Sequence, residues 1–218
     1  MNSRFFSKRH IDYINKKLLL LGSNDNRALP YLTLKTAFIF AICIGIAAIS
    51  VYGLIIAPIV FIISYILIDY IVIDKEIKMR KLKLEKEALI FFKVLYFNYI
   101  NNQNLKVALK ITANNLNSTL AKEFKKALDD TKLGKNLYDS LIDLEKRIPS
   151  NEINAIITNL NEAILLGNDA SSLLKKQIYY LELNQINIED KIISKIPIKV
   201  ALAFTLIIIP IIIIIISL

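Results

Sequence analysis

One histidine, His10, and one cysteine, Cys43, are the whole supply of imidazole and thiol chemistry in this 218-residue chain, which contains no tryptophan. A general base or a nucleophile needs a partner that orients it. His10 lies in a basic arm with Phe5, Phe6, Ile11 and Ile14, with no acid or nucleophile at an obvious spacing. Cys43 stands inside an apolar run and reads as a small hydrophobe rather than a thiolate. A single cysteine excludes an internal disulfide, and one cysteine with one histidine leaves almost nothing for a Cys/His metal site. The acid pairs Asp129–Asp130 and Glu189–Asp190 fall on polar helix faces and read as solvated. Only five glycines occur, and none forms the G-x-x-x-x-G-K-S/T phosphate loop. The residues therefore predict no enzyme: no catalytic, cofactor-binding or metal-binding side chain, and no cofactor.

The elements that hold these residues come from two materials. The chain is 55% hydrophobic yet 22% charged, with a net charge of +9 and a mean hydropathy of +0.47. No charge falls in the 33 residues Thr36–Ile68 or in the 19 residues 200–218. As one helix the first run would be about 50 Å long against a hydrocarbon core of about 30 Å. A tight transmembrane hairpin fits better, with spans near Tyr31–Val51 and Leu54–Ile73 and a turn near 52–54, where Gly53 tolerates unusual dihedrals. Lys35 and Asp69 flank it and can snorkel to headgroups. The small residues Ala37, Ala41 and Gly45 recur every fourth position, a stripe that lets helices approach closely; it is expected to serve the hairpin itself. Lys199–Leu218 has the length of a third span and tolerates Pro210. With some 35 polar or mixed residues before it, the first run does not read as a signal peptide.

Charge sets the orientation. Residues 1–35 hold seven Lys/Arg and two Asp/Glu, and residues 75–199 hold 21 and 15. A hairpin returns the chain to its starting side, so both basic regions lie in the cytoplasm and the third span carries the C-terminus outside. Orientation and anionic lipid account for the excess charge, and no nucleic-acid partner is expected.

Residues 75–196 show apolar positions at helical spacing throughout, which predicts a cytoplasmic bundle of six antiparallel helices over 80–103, 104–116, 118–133, 136–148, 150–166 and 169–195. The outer two continue into the spans. The full expectation is an all-α integral membrane protein: a basic arm over 1–30, a hairpin over 31–73, the helical domain over 74–196 and a last span over 197–218. A short pattern repeats at 32 and 33 residues: Asn102-Gln-Asn104-Leu105, Gly134-Lys-Asn136-Leu137 and Gly167-Asn-Asp169-Ala170. Each copy starts with a residue that tolerates a left-handed backbone and continues to an Asn or Asp placed to cap the next helix. Ser118, and Ser150 after the stop signal Pro149, are further caps.

These residues resemble the type II secretion system F domain. Its pattern of a glycine, a spacer, a helix-start residue and an apolar pair is matched by Gly134-Lys-Asn136-Leu137 and Gly167-Asn-Asp169-Ala170. Glu162 stands five residues before Gly167, and Lys195-Ile-Pro197-Ile-Lys199 leads into the last span, both as the family tends to have them. Asn102 replaces the usual first glycine. With a two-span hairpin before one helical domain, the chain is most similar to the tight-adherence (Flp) pilus assembly proteins of the TadB and TadC kind. The resemblance implies an inner-membrane platform that couples a hexameric secretion ATPase to extraction of pilin or pseudopilin and filament assembly. It further implies a second platform protein or a second copy as partner, beside the membrane lipids. Asn104, Gly134, Asn136, Glu162, Gly167 and Asp169 are the expected hinge and partner-contact residues. The alternative is a generic membrane-anchored helical adaptor or receptor scaffold.

Overall fold

The computed structural model describes residues 7–23, 27–49, 53–167 and 169–186. These residues form helices and no strand. An arm helix α1 (Lys8–Leu20) precedes α2 (Ala28–Ile49) and α3 (Gly53–Asp69). A single π-helical turn, Tyr70–Asp74, then passes without a break into α4 (Lys75–Asn102). Four shorter helices follow: α5 (Leu105–Asn115), α6 (Thr119–Lys132), α7 (Leu137–Arg147) and α8 (Asn151–Leu166). Residues 170–186 form α9. The third apolar segment and the predicted helix beyond residue 186 lie outside the described residues, as do Phe5, Phe6 and the tip of the hairpin. Gly53, expected in that turn, already belongs to α3.

The bundle is organised on α4. Leu84, Ala88, Phe91, Phe92 and Leu95 all face inward with no exposed surface. Phe91 stacks on Phe124 of α6 at 4.5 Å between centroids, and Phe92 meets Phe91 edge-on at 5.4 Å. Such pairs add about 0.5–1.5 kcal/mol beyond their area. Leu109, Leu120, Leu144, Ile157 and Leu174 close the same core from the other helices. The stripes read from periodicity face this core; Leu105, Leu137, Ile164, Leu173 and Ile178 are its partly buried margin. Two carboxylates of α4 also reach helix starts. Glu87 accepts from the Leu120 N–H at 2.8 Å, and Glu85 accepts from the Ser150 hydroxyl at 2.7 Å. Both place negative charge where the helix dipole favours it.

The connections are short because each helix start has its own cap. Asn104 accepts from Val107 N at 3.2 Å, Ser118 from Ala121 N at 3.1 Å and Asn136 from Tyr138 N at 2.8 Å. Ser150 accepts from Ile153 N at 3.5 Å, and Asp169 accepts from Ser171 N at 3.0 Å. Gly134 (φ +94°) and Gly167 (φ +64°) take the left-handed conformation. In the first copy that conformation falls on Gln103 (φ +51°), not on Asn102. Asn102 stays helical and donates to the Asn98 carbonyl at 2.8 Å, so the left-handed residue and the cap Asn104 are adjacent here, where Lys135 separates Gly134 from Asn136 in the α6–α7 turn.

α2 and α3 pack side by side, with the Cys43 thiol directed at the Ala57 carbonyl at 3.5 Å. The packed face of α2 includes Leu32, Lys35 and Ile39, all buried. The small-residue stripe does not serve this hairpin. Ala37, Ala41 and Gly45 are exposed, and a Cβ added at Gly45 would meet nothing within 4 Å. α2 over Ala28–Ile46 and the rod from Ala57 are both long and apolar enough to cross a membrane. Only 17% and 6% of their apolar windows are buried by protein, unlike the core helix of a water-soluble domain.

Candidate functional site

α1 is more than a charged tail. Ile14 is fully buried with Ala28, Leu32 and Ile73, forming a second small core where arm, α2 and the π-turn meet. Asn15 of the arm accepts from the Ala28 N–H at 3.0 Å and so caps α2. Lys17 reaches Asp74 at 2.6 Å. Although desolvation pulls its pKa down, the bond to Asp74 prevails and holds the ammonium above its ordinary value.

Higher on the hairpin, the two flanking charges turn inward rather than snorkel. Lys35 Nζ lies 2.7 Å from Asp69 Oδ2, and the lysine side chain is 1% exposed. The ammonium also sits 3.5 Å above the Tyr65 ring, and Tyr31 donates to Asp69 Oδ1 at 2.8 Å. Lys35 and Asp69 face each other because α2 and α3 run antiparallel. In an apolar setting, pairing plus a cation–π contact is the alternative to an uncompensated charge. His10 does have a partner, which spacing could not reveal: it shares a hydrogen bond with the Tyr65 hydroxyl across 3.1 Å.

The densest polar junction lies just beyond the hairpin. Arg80 of α4 donates to the Leu20 carbonyl at the end of α1, and to the Arg147 carbonyl at the end of α7 at 3.1 Å. Its other nitrogen donates to Glu123 Oε1 of α6 at 2.9 Å. Arg147 Nε stands 3.4 Å from Glu123 Oε2, and Lys126 adds a bond to Oε1 at 2.9 Å. The side chains of Arg80, Glu123 and Arg147 are 12%, 5% and 17% exposed. Desolvation lowers the pKa of Arg80, opposed by the adjacent Glu123 carboxylate. Gly22 (φ +77°) lets the chain pass here, since a Cβ would stand 2.9 Å from Arg80 Nη2. One guanidinium thus ties the arm, the rod, α6 and α7 together.

The expected hinge residues lie elsewhere. Asn104, Gly134, Asn136, Glu162, Gly167 and Asp169 are all exposed. The Ala170 N–H donates to the Tyr99 hydroxyl at 3.3 Å, which joins the α8–α9 turn to the end of α4 beside Asn104. Lys106 and Lys132 line one cleft between α5 and α6, which brings the residues preceding Gly134 to the same end. The three repeated turns therefore gather where α4 stops. Glu162 makes no ion pair or hydrogen bond among the described residues. Asp169 is held below the usual carboxylate range by the Ser171 hydroxyl and backbone N–H.

Periodicity missed the junction, although it carried a signal. Glu123 falls between Leu120, Phe124 and Ala127 on the buried stripe of α6, and an acid at a core position calls for a buried cation. Which cation answers depends on two helices more than 20 residues away in either direction, and spacing carries no such information.

Among the described residues no three His, Cys, Asp or Glu side chains converge as metal ligands. A helical body on an apolar hairpin, tied through buried ion pairs, has the build of a membrane-associated scaffold. The chain belongs to the family of the type II secretion system protein F, which residues 91–218 match. Membership makes it a structural, platform-type component of such machinery and not a catalyst. No curated protein and no solved structure matches the chain.

Proposed function

We propose that this chain is an inner-membrane platform protein of a type IV pilus or type II secretion-like machine. It couples a cytoplasmic secretion ATPase to extraction of pilin or pseudopilin and to filament assembly. In this reading residues 31–73 form a transmembrane hairpin, residues 197–218 a third span, and the arm (1–30) and the helical domain (74–196) lie in the cytoplasm. The C-terminus is outside, and the basic excess on the cytoplasmic side supports that orientation. A second platform protein or a second copy completes the platform among anionic lipids.

The observation that carries the reading is the unbroken helix from Gly53 to Asn102. Its first part is apolar and, beside its packing on α2, little covered by protein; its last part is the inner wall of the bundle. A push or twist applied to the bundle reaches the hairpin through covalent helix, and Arg80 carries the same displacement to the arm. Asn104, Gly134–Asn136, Glu162 and Gly167–Asp169 are proposed as motor contacts, because they crowd the end of the bundle farthest along the rod.

The test is co-purification of the detergent-solubilised full chain with the co-encoded hexameric ATPase. Retention of the ATPase, lost in Glu162→Lys/Asp169→Lys at unchanged melting temperature, is the expected result. No retention by the wild-type chain would sink the coupling role and leave a membrane-anchored adaptor. Retention by the double variant would move the contact elsewhere.

A further inference from the structure

The groove between α5 and α6 is concave, basic and short of counter-charge. It encloses about 130 Å³ and is lined by Lys106 and Lys110 of α5 and by Lys125, Leu128, Asp129 and Lys132 of α6. Asp129 is its single lining carboxylate and already pairs with Lys132 at 2.6 Å. Lys106, Lys110 and Lys125 have no carboxylate within 4.0 Å among the described residues. Leu133, the residue directly after the lining residue Lys132, is 88% exposed. Two more leucines, Leu165 and Leu166, are 61% and 71% exposed before the Gly167 turn. Exposed apolar anchors beside unpaired charge are the surface features of a protein interface rather than of a merely solvated face.

Position decides between an acidic lipid surface and an acidic protein. α4 runs 28 residues beyond Asp74, which at about 1.5 Å per residue places its end about 40 Å along the rod. The cleft begins at Lys106, just past that end, and α5 brings Lys110 back by about 6 Å. Because α4 continues the second apolar helix without a break, it projects away from the hairpin and cannot lie flat beside it. Headgroup potentials decay over a Debye length of about 8 Å at physiological salt, so lipid has no hold on lysines at this distance.

We infer that the α5–α6 cleft is a docking surface for an acidic, leucine-accepting face of a soluble cytoplasmic protein, with Lys106, Lys110 and Lys125 as its charge determinants and Leu133 as its apolar anchor. The inference rests on the membrane-platform reading only in placing the bundle in the cytoplasm. It adds to the proposed turn contacts a separate surface with its own chemistry.

The probe is a fluorescein-labelled peptide of alternating glutamate and leucine, titrated by anisotropy against the full chain in phosphatidylcholine nanodiscs. The peptide is expected to protect Lys106, Lys110 and Lys125 from acetylation by an amine-reactive reagent, read by mass spectrometry. Lys110→Glu/Lys125→Glu is expected to weaken binding by about tenfold or more, and Leu133→Ser to weaken it without changing its salt dependence. Lys175→Glu/Lys176→Glu, on α9, is expected to leave affinity within about twofold. Equal loss from both double variants would reduce the effect to net charge and overturn the proposal. Protection of the cleft lysines by phosphatidylglycerol nanodiscs without peptide would make the occupant a lipid and overturn it equally. If these arms fail while the ATPase still co-purifies, the cleft falls and the platform stands. If the peptide docks at the cleft but no ATPase is retained, the reverse holds.

Discussion

Removing the Glu123 carboxylate should destabilise the protein by leaving two mostly buried guanidinium groups without their shared counter-charge. The side chain is 5% exposed and is the carboxylate shared by two guanidinium groups that are themselves 12% and 17% exposed. Glu123→Ala leaves Arg80 and Arg147 as buried, like-charged neighbours, and breaking such a pair from one side costs about 3–5 kcal/mol. For a chain of this length that corresponds to a melting shift of about 10 °C. Glu123→Gln keeps an acceptor for Arg80 but loses the charge, so about half that loss is expected. The joint replacement Arg80→Met/Glu123→Leu/Arg147→Met removes all three charges together and should recover most of the stability, because no charge then needs desolvation. It should still loosen the arm, since the bond from Arg80 to the Leu20 carbonyl goes with it. Thermal melts followed by far-ultraviolet circular dichroism on the detergent-solubilised chain give the stabilities, and limited proteolysis of the arm gives its attachment. The reasoning is refuted if Glu123→Ala melts within about 0.5 kcal/mol of the parent. It is equally refuted if the triple variant is no more stable than Glu123→Ala.

Three further outcomes follow from the same geometry. Asp69→Asn leaves the Lys35 ammonium, 1% exposed, without its carboxylate, and should lower the melting temperature sharply, whereas Lys35→Met/Asp69→Leu should restore much of it. Gly22→Ala meets both a left-handed backbone and Arg80 at 2.9 Å, while Gly134→Ala meets only the backbone cost, with no atom within 4 Å. The second should cost about 1–2 kcal/mol and the first measurably more, with equal losses in denaturant melts counting against the packing of Arg80 on Gly22. Asp143 is held below the usual carboxylate range by Lys135 and then by Lys146. Its depressed folded pKa means the unfolded chain binds the proton first, so its contribution is present above the ordinary carboxylate pKa of about 4 and lost as pH falls through the lower folded value. Asp143→Asn should therefore flatten the pH dependence of the denaturation midpoint below about pH 4, modestly, since the side chain is 35% exposed. An unchanged slope would remove Asp143 from the linkage.

Helix boundaries and caps were legible because they depend on neighbours in sequence. Ser118, Asn136 and Ser150 each precede an apolar run, and each accepts from the first turn of its own helix. Where local chemistry offers two equivalent residues, as at Asn102 and Gln103, only the tightness of the turn chooses between them, and it places the left-handed backbone at Gln103. The stripe Ala37, Ala41, Gly45 was legible as a stripe but not as a face. Which side of α2 meets α3 is decided by the Lys35–Asp69 pair and by Ile39, and that side leaves the small residues outside.

Composition and periodicity alone determined that this is an all-α chain with apolar segments on a basic helical body, poor in catalytic residues. Those properties are sums over local residues, and local residues suffice to state them. Tertiary structure alone decided that Lys35 and Asp69 neutralise each other, that His10 meets Tyr65, and that Arg80 gathers Leu20, Glu123 and Arg147 into one junction. The physical reason is that a buried charge must be matched in space. Its partner is set by how helices cross, 34 to 67 positions apart along the chain for those pairs.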